Sequence, residues 1–95
     1  MRFEWDERKN KMNKIKHGIS FQEAKNVFDD QNAVVIYDEP HSVNEDRFFI
    51  IGMDIQYREM VVCHCYRAAD IIRIISARKA TKNELALCWR NGYEK

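Results

Sequence analysis

The strongest pattern in the chain runs from Val61 to Ala80, VVCHCYRAADIIRIISARKA, where mostly β-branched apolar residues fill two segments around a turn. That composition suits two strands of a largely buried hairpin. Strand side chains alternate faces, so Val62, His64 and Tyr66 point one way while Val61, Cys63 and Cys65 point the other. With Ala68-Ala69 as a two-residue loop, His64 lies across from Arg73. A three-residue loop instead pairs His64 with Ile74 and turns Arg73 to the opposite face. The first register serves the chemistry of these side chains better and is the one expected.

The rest of the chain punctuates itself clearly. Arg2 to Trp5 reads as a short strand, and Asp6 as the N-cap of a helix from about Glu7 to His17, stopped by Gly18. That helix has a thin apolar face, Met12 and Ile15, which leaves most of its surface to solvent or a partner. Ser20-Phe21-Gln22-Glu23 is a capping box opening a second helix, with Phe21, Ala24, Val27 and Phe28 as its stripe. Ala33 to Tyr37 is a strand-like run, and residues 38–46, which hold the only proline, read as a loop. Arg47 to Met53 is another strand, with Arg47, Phe49 and Ile51 on one face and Phe48 and Ile50 on the other. Thr81-Lys82-Asn83-Glu84 is a second capping box, opening a last helix with Leu85, Cys88 and Trp89 on one side and Gly92 at its end. The order β-α-α-β-β-β-β-α predicts an α+β fold, a meander of four antiparallel strands with helices covering one face.

Ninety-five residues without repeat or linker make one domain over residues 1–95. No apolar run approaches the roughly 20 residues of a membrane span, and the opening MRFEWDERKN is no signal peptide. Three cysteines exclude a full disulfide framework, so reduced thiols in a cytoplasmic protein are expected. A net charge of +1 is uninformative, but its distribution is not. Residues 1–17 hold six Lys/Arg against three acids, and residues 67–82 hold five against Asp70 alone. Residues 22–59 reverse this, with nine acids against Lys25, Arg47 and Arg58. Two basic segments far apart in sequence can converge on one face and attract a polyanion, although charged helix faces are as often simply solvated.

Cys63-His64-Cys65 invites a metal reading, but on a strand the imidazole points away from both thiols. No metal or other cofactor is expected, and phosphate-cradling glycine loops and nucleophile elbows are absent. One imidazole, several guanidiniums, lysines and a phenol remain. That set suits metal-independent cleavage of RNA by its own 2′-hydroxyl, which needs a base, an acid and cations for the charge on the phosphorane. His64 is the candidate acid or base. Arg47, Arg73 and Arg78 are candidates for holding the phosphate, and Tyr66 for stacking on a base or aiding proton transfer. A lone histidine in a hairpin is more often a structural residue.

The N-terminal FEWDERKNKMNKIKHGISFQEA resembles a family pattern, F-x-W-D-x-x-K-x-x-x-N-x-x-K-H-G-I-S-F-x-E-A. RIISARKATKNE, Arg73 to Glu84, resembles the same family's second signature, and His64 falls where that family has a histidine before this turn. The family is the BrnT-type toxins of bacterial type II toxin–antitoxin systems. The resemblance implies a RelE-like fold, a curved antiparallel sheet with helices against it, and an endoribonuclease that halts translation. It also implies neutralisation by a BrnA-like antitoxin with a ribbon-helix-helix domain, and contact with operator DNA only through that antitoxin. Trp5, Asp6, Lys9, Asn13, Lys16, His17 and Gly18 match the first motif; Arg73, Ser76, Ala77, Arg78, Lys79 and Ala80 match the second. Fold roles are expected for Trp5, Asp6, Gly18 and Ala77, and RNA contacts for Lys14, Lys16, His17 and Lys79. Lys14, Lys16 and His17 also suit the C-terminal end of a helix dipole without any substrate. The chain departs from its relatives at Cys65, where Thr is common, and at Ala68-Ala69, where polar residues are commoner. Two other functions suit the scaffold: a non-catalytic, ParE-like inhibitor of DNA gyrase, or an inactive antitoxin-binding partner.

Overall fold

The structure, a computed structural model, describes residues 1–90, with side chains through Cys88. Gly92 and the Trp89 side chain, expected at the end and on the apolar side of the last helix, lie outside the described residues. Capping side chains set the helices where the sequence marks them. α1 (Glu7–His17) starts where the Asp6 carboxylate accepts from the N–H groups of Arg8 and Lys9, at 2.8 and 3.4 Å. It stops at Gly18, whose φ of 71° suits a residue without a side chain. Ser20 and Glu23 exchange hydrogen bonds as a capping box before α2 (Phe21–Ala24), a single turn that tightens into a 3₁₀ helix over Lys25–Asp29. Thr81 and Glu84 do the same before α3 (Lys82–Arg90).

Five strands follow one another across the sheet in the order β1-β5-β4-β3-β2: β1 (Arg2–Glu4), β5 (Ile71–Lys79), β4 (Glu59–Ala68), β3 (Phe48–Met53) and β2 (Val34–Tyr37). β2 to β5 form the expected antiparallel meander, and the expected element order is observed. β1 adds itself parallel to the outer edge of β5, pairing Arg2 with Ile71 and Glu4 with Arg73, so the sheet is mixed.

Two expectations are corrected. Helices cover both faces, not one. Ile19, Phe21, Ala24 and Val27 pack with Ile50, Met60, Val62, Ile74 and Ala77 on one side. Cys88 and Leu85 of α3 pack with Ile51, Val61, Phe49 and Met53 on the other. Adjacent residues along β3 and β4 feed opposite cores, which is the alternation read from the sequence.

The register is also not the one expected. The two-residue turn is Ala69-Asp70, since Ala68 pairs with Ile71. Arg67 is an extra residue on β4 between the Tyr66 and Ala68 pairs, and that bulge sets His64 against Ile74 and Arg73 against Cys65. A second bulge leaves Ile75 without a partner on β4, because Cys63 pairs with Ser76 and His64 with Ile74. This extra residue shifts the alternation of β5. Ile74 and Ala77, three apart, both reach the α1/α2 core, and Arg73 and Arg78 share the opposite face.

β1 covers only the first residues of β5. Further along, the edge of β5 meets α1, and one side chain stands in for a missing strand. Asn13, 7% exposed, donates through Nδ2 to the carbonyl of Ala77 at 2.8 Å and accepts its N–H through Oδ1 at 3.1 Å. Nδ2 also donates to the Ile19 carbonyl at 2.9 Å. Asn13→Ala orphans three buried backbone groups and is expected to destabilise the protein by about 2–4 kcal/mol. At this chain length that lowers the melting temperature by roughly 10–20 °C. Thermal unfolding followed by circular dichroism checks it; a melting point within a degree or two of the unsubstituted protein would contradict this role.

Candidate active site

α3 covers only part of its face of the sheet. Beside it lies a cleft of about 310 Å³, lined by Asp38, His41, Arg47, Phe49, Cys63, Ile75, Ser76 and Arg78. β3 and β4 supply Phe49 and Cys63 as its floor, and the bulge in β5 turns Ile75 and Ser76 toward it. Cys63 and Cys65 are buried free thiols, and burial pushes both above the usual thiol pKa, so they stay neutral. Among the described residues no three His, Cys, Asp or Glu side chains are grouped to hold a metal ion.

The predicted arginines reach this face in different states. Arg47, whose side chain is 32% exposed, has a buried Nε with no hydrogen-bond partner; the nearest carboxylate, on Glu45, lies 3.5 Å away. Arg78 is clamped instead. Its two terminal nitrogens meet the two Glu84 oxygens at 2.8 and 2.6 Å, and Glu84 is the residue that also caps α3 at Thr81. This bidentate pair holds the Glu84 carboxyl down at about 2, with the Thr81 N–H adding to the effect against some desolvation. Arg73 lies outside the cleft, 3.0 Å from Glu4. Glu4 also meets Arg67, Arg67 meets Glu45, and Glu45 faces Arg47, so alternating charges run along the sheet from Arg73 to the cleft.

His64 does not join them. Its ring is fully buried on the other face of the sheet, between Phe28 at 4.9 Å and Phe48 at 6.1 Å. Nδ1 lies 3.1 Å from the Val62 carbonyl, which can only accept, so it carries the proton. Nε2 then accepts from the Tyr66 hydroxyl at 3.4 Å. Desolvation lowers its pKa below the ordinary histidine value, against a smaller opposing effect from Val62, and the ring stays neutral. Its expected position across from Arg73 required the other register. Tyr66 is about half exposed and belongs to this aromatic cluster, not to the cleft.

The remaining cations gather elsewhere. Lys14 and Lys16 are exposed on α1. His17 and Lys79 line a second cleft of about 380 Å³ together with Tyr57 and Arg58. Lys79 follows Arg78 on β5 and points the other way, so the two clefts open on opposite faces of the sheet.

Sequence reasoning missed Asp38 and His41, which lie in the stretch read as a plain loop. The imidazole Nδ1 is 3.0 Å from a carboxylate oxygen of Asp38. The available signal was the spacing Asp-Glu-Pro-His, with proline in the first turn of a short helix.

Comparison with known proteins gives the family. The family model of the BrnT ribonuclease toxin of type II toxin–antitoxin systems matches residues 5–84. The chain belongs to this family. Among solved structures it is similar to the ribonuclease toxin BrnT of Brucella abortus, a 1.1 Å crystal structure. The two share 25% identity and a TM-score of 0.68, over 86% of this chain and 99% of that one. No curated protein matches the sequence. Membership of a toxin–antitoxin family implies an antitoxin partner for this BrnT-family chain, and Asp38, His41, Arg47, Arg78 and Glu84 all fall within the matched span. Among the described residues no helix is long and apolar enough to cross a membrane.

The Arg78–Glu84 pair carries a pH signature. A carboxyl group depressed from 4.5 to about 2 stabilises the fold above its unfolded pKa and loses that contribution as pH falls toward 2. With Arg78 38% exposed, solvent screening reduces the contribution to about 1–3 kcal/mol. Glu84→Gln is therefore expected to be less stable than the unsubstituted protein by this amount at pH 7, with the gap closing by about pH 2. Urea unfolding at both pH values checks this; a gap independent of pH would show that the pair has no such role.

Proposed function

We propose that this chain is a metal-independent endoribonuclease that cuts RNA at a phosphodiester seated between Arg47 and Arg78, with the RNA's own 2′-hydroxyl as nucleophile. The observation that carries this reading is the meeting of those two arginines at one cleft, where the buried Arg47 Nε has no hydrogen-bond partner among the described residues and faces Glu45 at 3.5 Å. A phosphorane gains negative charge over its ground state, and guanidiniums fixed beforehand stabilise that charge most strongly. The nucleophile belongs to the substrate, so the protein needs only to hold the phosphate and move protons. Arg73 stands at the far end of the charge chain and helps hold Glu4 and Arg67 in place. His64 and Tyr66 pack the opposite face. His17 and Lys79 contact flanking phosphates by way of the second cleft, and Lys14 and Lys16 do so from the exposed face of α1.

In the cell this activity arrests translation. The partner that restrains it is a BrnA-like antitoxin with a ribbon-helix-helix domain, and the complex meets operator DNA through that domain alone. Family membership supports this assignment. A neighbouring reading frame encoding a short ribbon-helix-helix protein is the expected genomic setting.

Purified protein incubated with RNA in excess EDTA is expected to produce 5′-hydroxyl and 2′,3′-cyclic phosphate ends, while DNA of the same sequence stays intact. Arg47→Ala and Arg78→Ala are each expected to slow cleavage by about 100-fold or more. Cleavage abolished by EDTA and restored by a divalent ion would overturn the metal-free mechanism. Growth arrest with all cellular RNA intact would overturn the ribonuclease reading itself.

A further inference from the structure

We propose that the proton-transfer group of the cleft is His41, aimed by the buried carboxylate of Asp38. This rests on reading the cleft as the seat of RNA cleavage. Asp38 immediately precedes a 3₁₀ turn, Glu39–His41, and in such a turn side chains three apart eclipse each other. The geometry follows: Nδ1 of His41 lies 3.1 and 3.0 Å from the two Asp38 oxygens. The Asp38 side chain is 4% exposed, whereas the imidazole is 68% exposed. An ionised carboxylate can only accept, so Nδ1 carries the proton and Nε2 is the free basic nitrogen. Among the described residues Nε2 has no hydrogen-bond partner.

The pair is also fastened to the phosphate site. The Asp38 N–H donates to the Arg47 carbonyl at 2.9 Å. Ser42 bridges the same two residues, its hydroxyl donating to the Asp38 carbonyl at 2.6 Å and accepting the Arg47 N–H at 2.9 Å. A base, the carboxylate that orients it, and a cation for the developing charge therefore share one short loop. The charged and titratable groups around the imidazole are Asp38 on its own turn, Glu45 and Arg47 before β3, Cys63 on β4 and Arg78 on β5.

The step balances with one imidazole. The 2′-hydroxyl proton passes to Nε2 as the O2′–P bond forms and the P–O5′ bond breaks. The imidazolium then gives its proton to O5′, leaving a 2′,3′-cyclic phosphate, a 5′-hydroxyl and the neutral ring. Asp38 accepts from Nδ1 throughout and faces the positive ring while it lasts.

Single-turnover cleavage of a short RNA tests this with His41→Ala, His41→Gln and Asp38→Asn, after circular dichroism has shown each variant folded. The His41 variants are expected to lose about 10²–10⁴-fold in rate, and Asp38→Asn at least about tenfold. The pH profile of the unsubstituted rate should differ from that of His41→Ala. Added imidazole should restore part of the His41→Ala rate, which a packing role would not allow. A His41→Ala rate within threefold of the unsubstituted protein would overturn the assignment while leaving the ribonuclease reading standing. A slow variant with an unchanged pH profile and no rescue by imidazole would overturn it too. An unsubstituted protein that leaves RNA intact would instead sink the reading of the cleft.

Discussion

A single carboxamide stands where a sheet edge meets a helix. β1 is three residues long and β5 nine, so most of the outer edge of β5 has no strand beside it. Unpaired backbone groups pressed against a helix would each cost about 1–3 kcal/mol, a large share of the stability of a domain this small. Asn13 removes that cost by offering Ala77 one donor and one acceptor, as a neighbouring strand would. Its spare amide hydrogen goes to Ile19, which fixes the turn between α1 and α2. Helix, turn and strand are thereby locked together. Arg78 follows Ala77 directly, so the same bonds help set where the cleft cation stands.

The second constraint is the extra residue Ile75. Without it, Arg73 and Arg78 would point to opposite faces, and the line of alternating charges could not end in the cleft. Surface ion pairs of this kind contribute about 0–1 kcal/mol each to stability. Their value here lies in arrangement: carboxylates at Glu4, Glu45 and Glu84 hold arginines that would otherwise repel one another, before any substrate arrives. Cations fixed in advance need no reorganisation when charge builds up on a phosphate. His64 makes the opposite choice. It is a neutral ring inside an aromatic cluster, where burial has removed the charge that made it attractive as a catalyst.

What could be read from the residues was what local chemistry decides. Asp6, Gly18, Ser20 with Glu23, and Thr81 with Glu84 act within one turn of themselves, so their spacing was enough. Strand alternation was equally local, and Val61 and Val62 feed opposite cores as expected. The register was not, because it depends on bulges at Arg67 and Ile75, and Arg67 is held by Glu4 and Glu45, far away in the chain. The parallel pairing of β1 and the second helical layer are likewise matters of long-range contact. Asn13 was legible only as a motif letter; its work depends on Ala77, which lies 64 positions on. Asp38 and His41 were hidden differently. Their spacing was in plain view, but a loop with a proline looked like punctuation, and the imidazole in the hairpin drew the chemistry to itself.

The deciding question is which side of the sheet receives the phosphate. A non-cleavable RNA, 2′-deoxy at the scissile nucleotide, can be titrated into the labelled protein while the arginine Nε–H and histidine ring signals are followed by NMR. The largest shifts are expected at Arg47, Arg78 and His41, with His64 and Tyr66 hardly changed. Shifts centred on Tyr66, Phe48 and His64, with Arg47 still, would place the substrate on the opposite face and contradict the account.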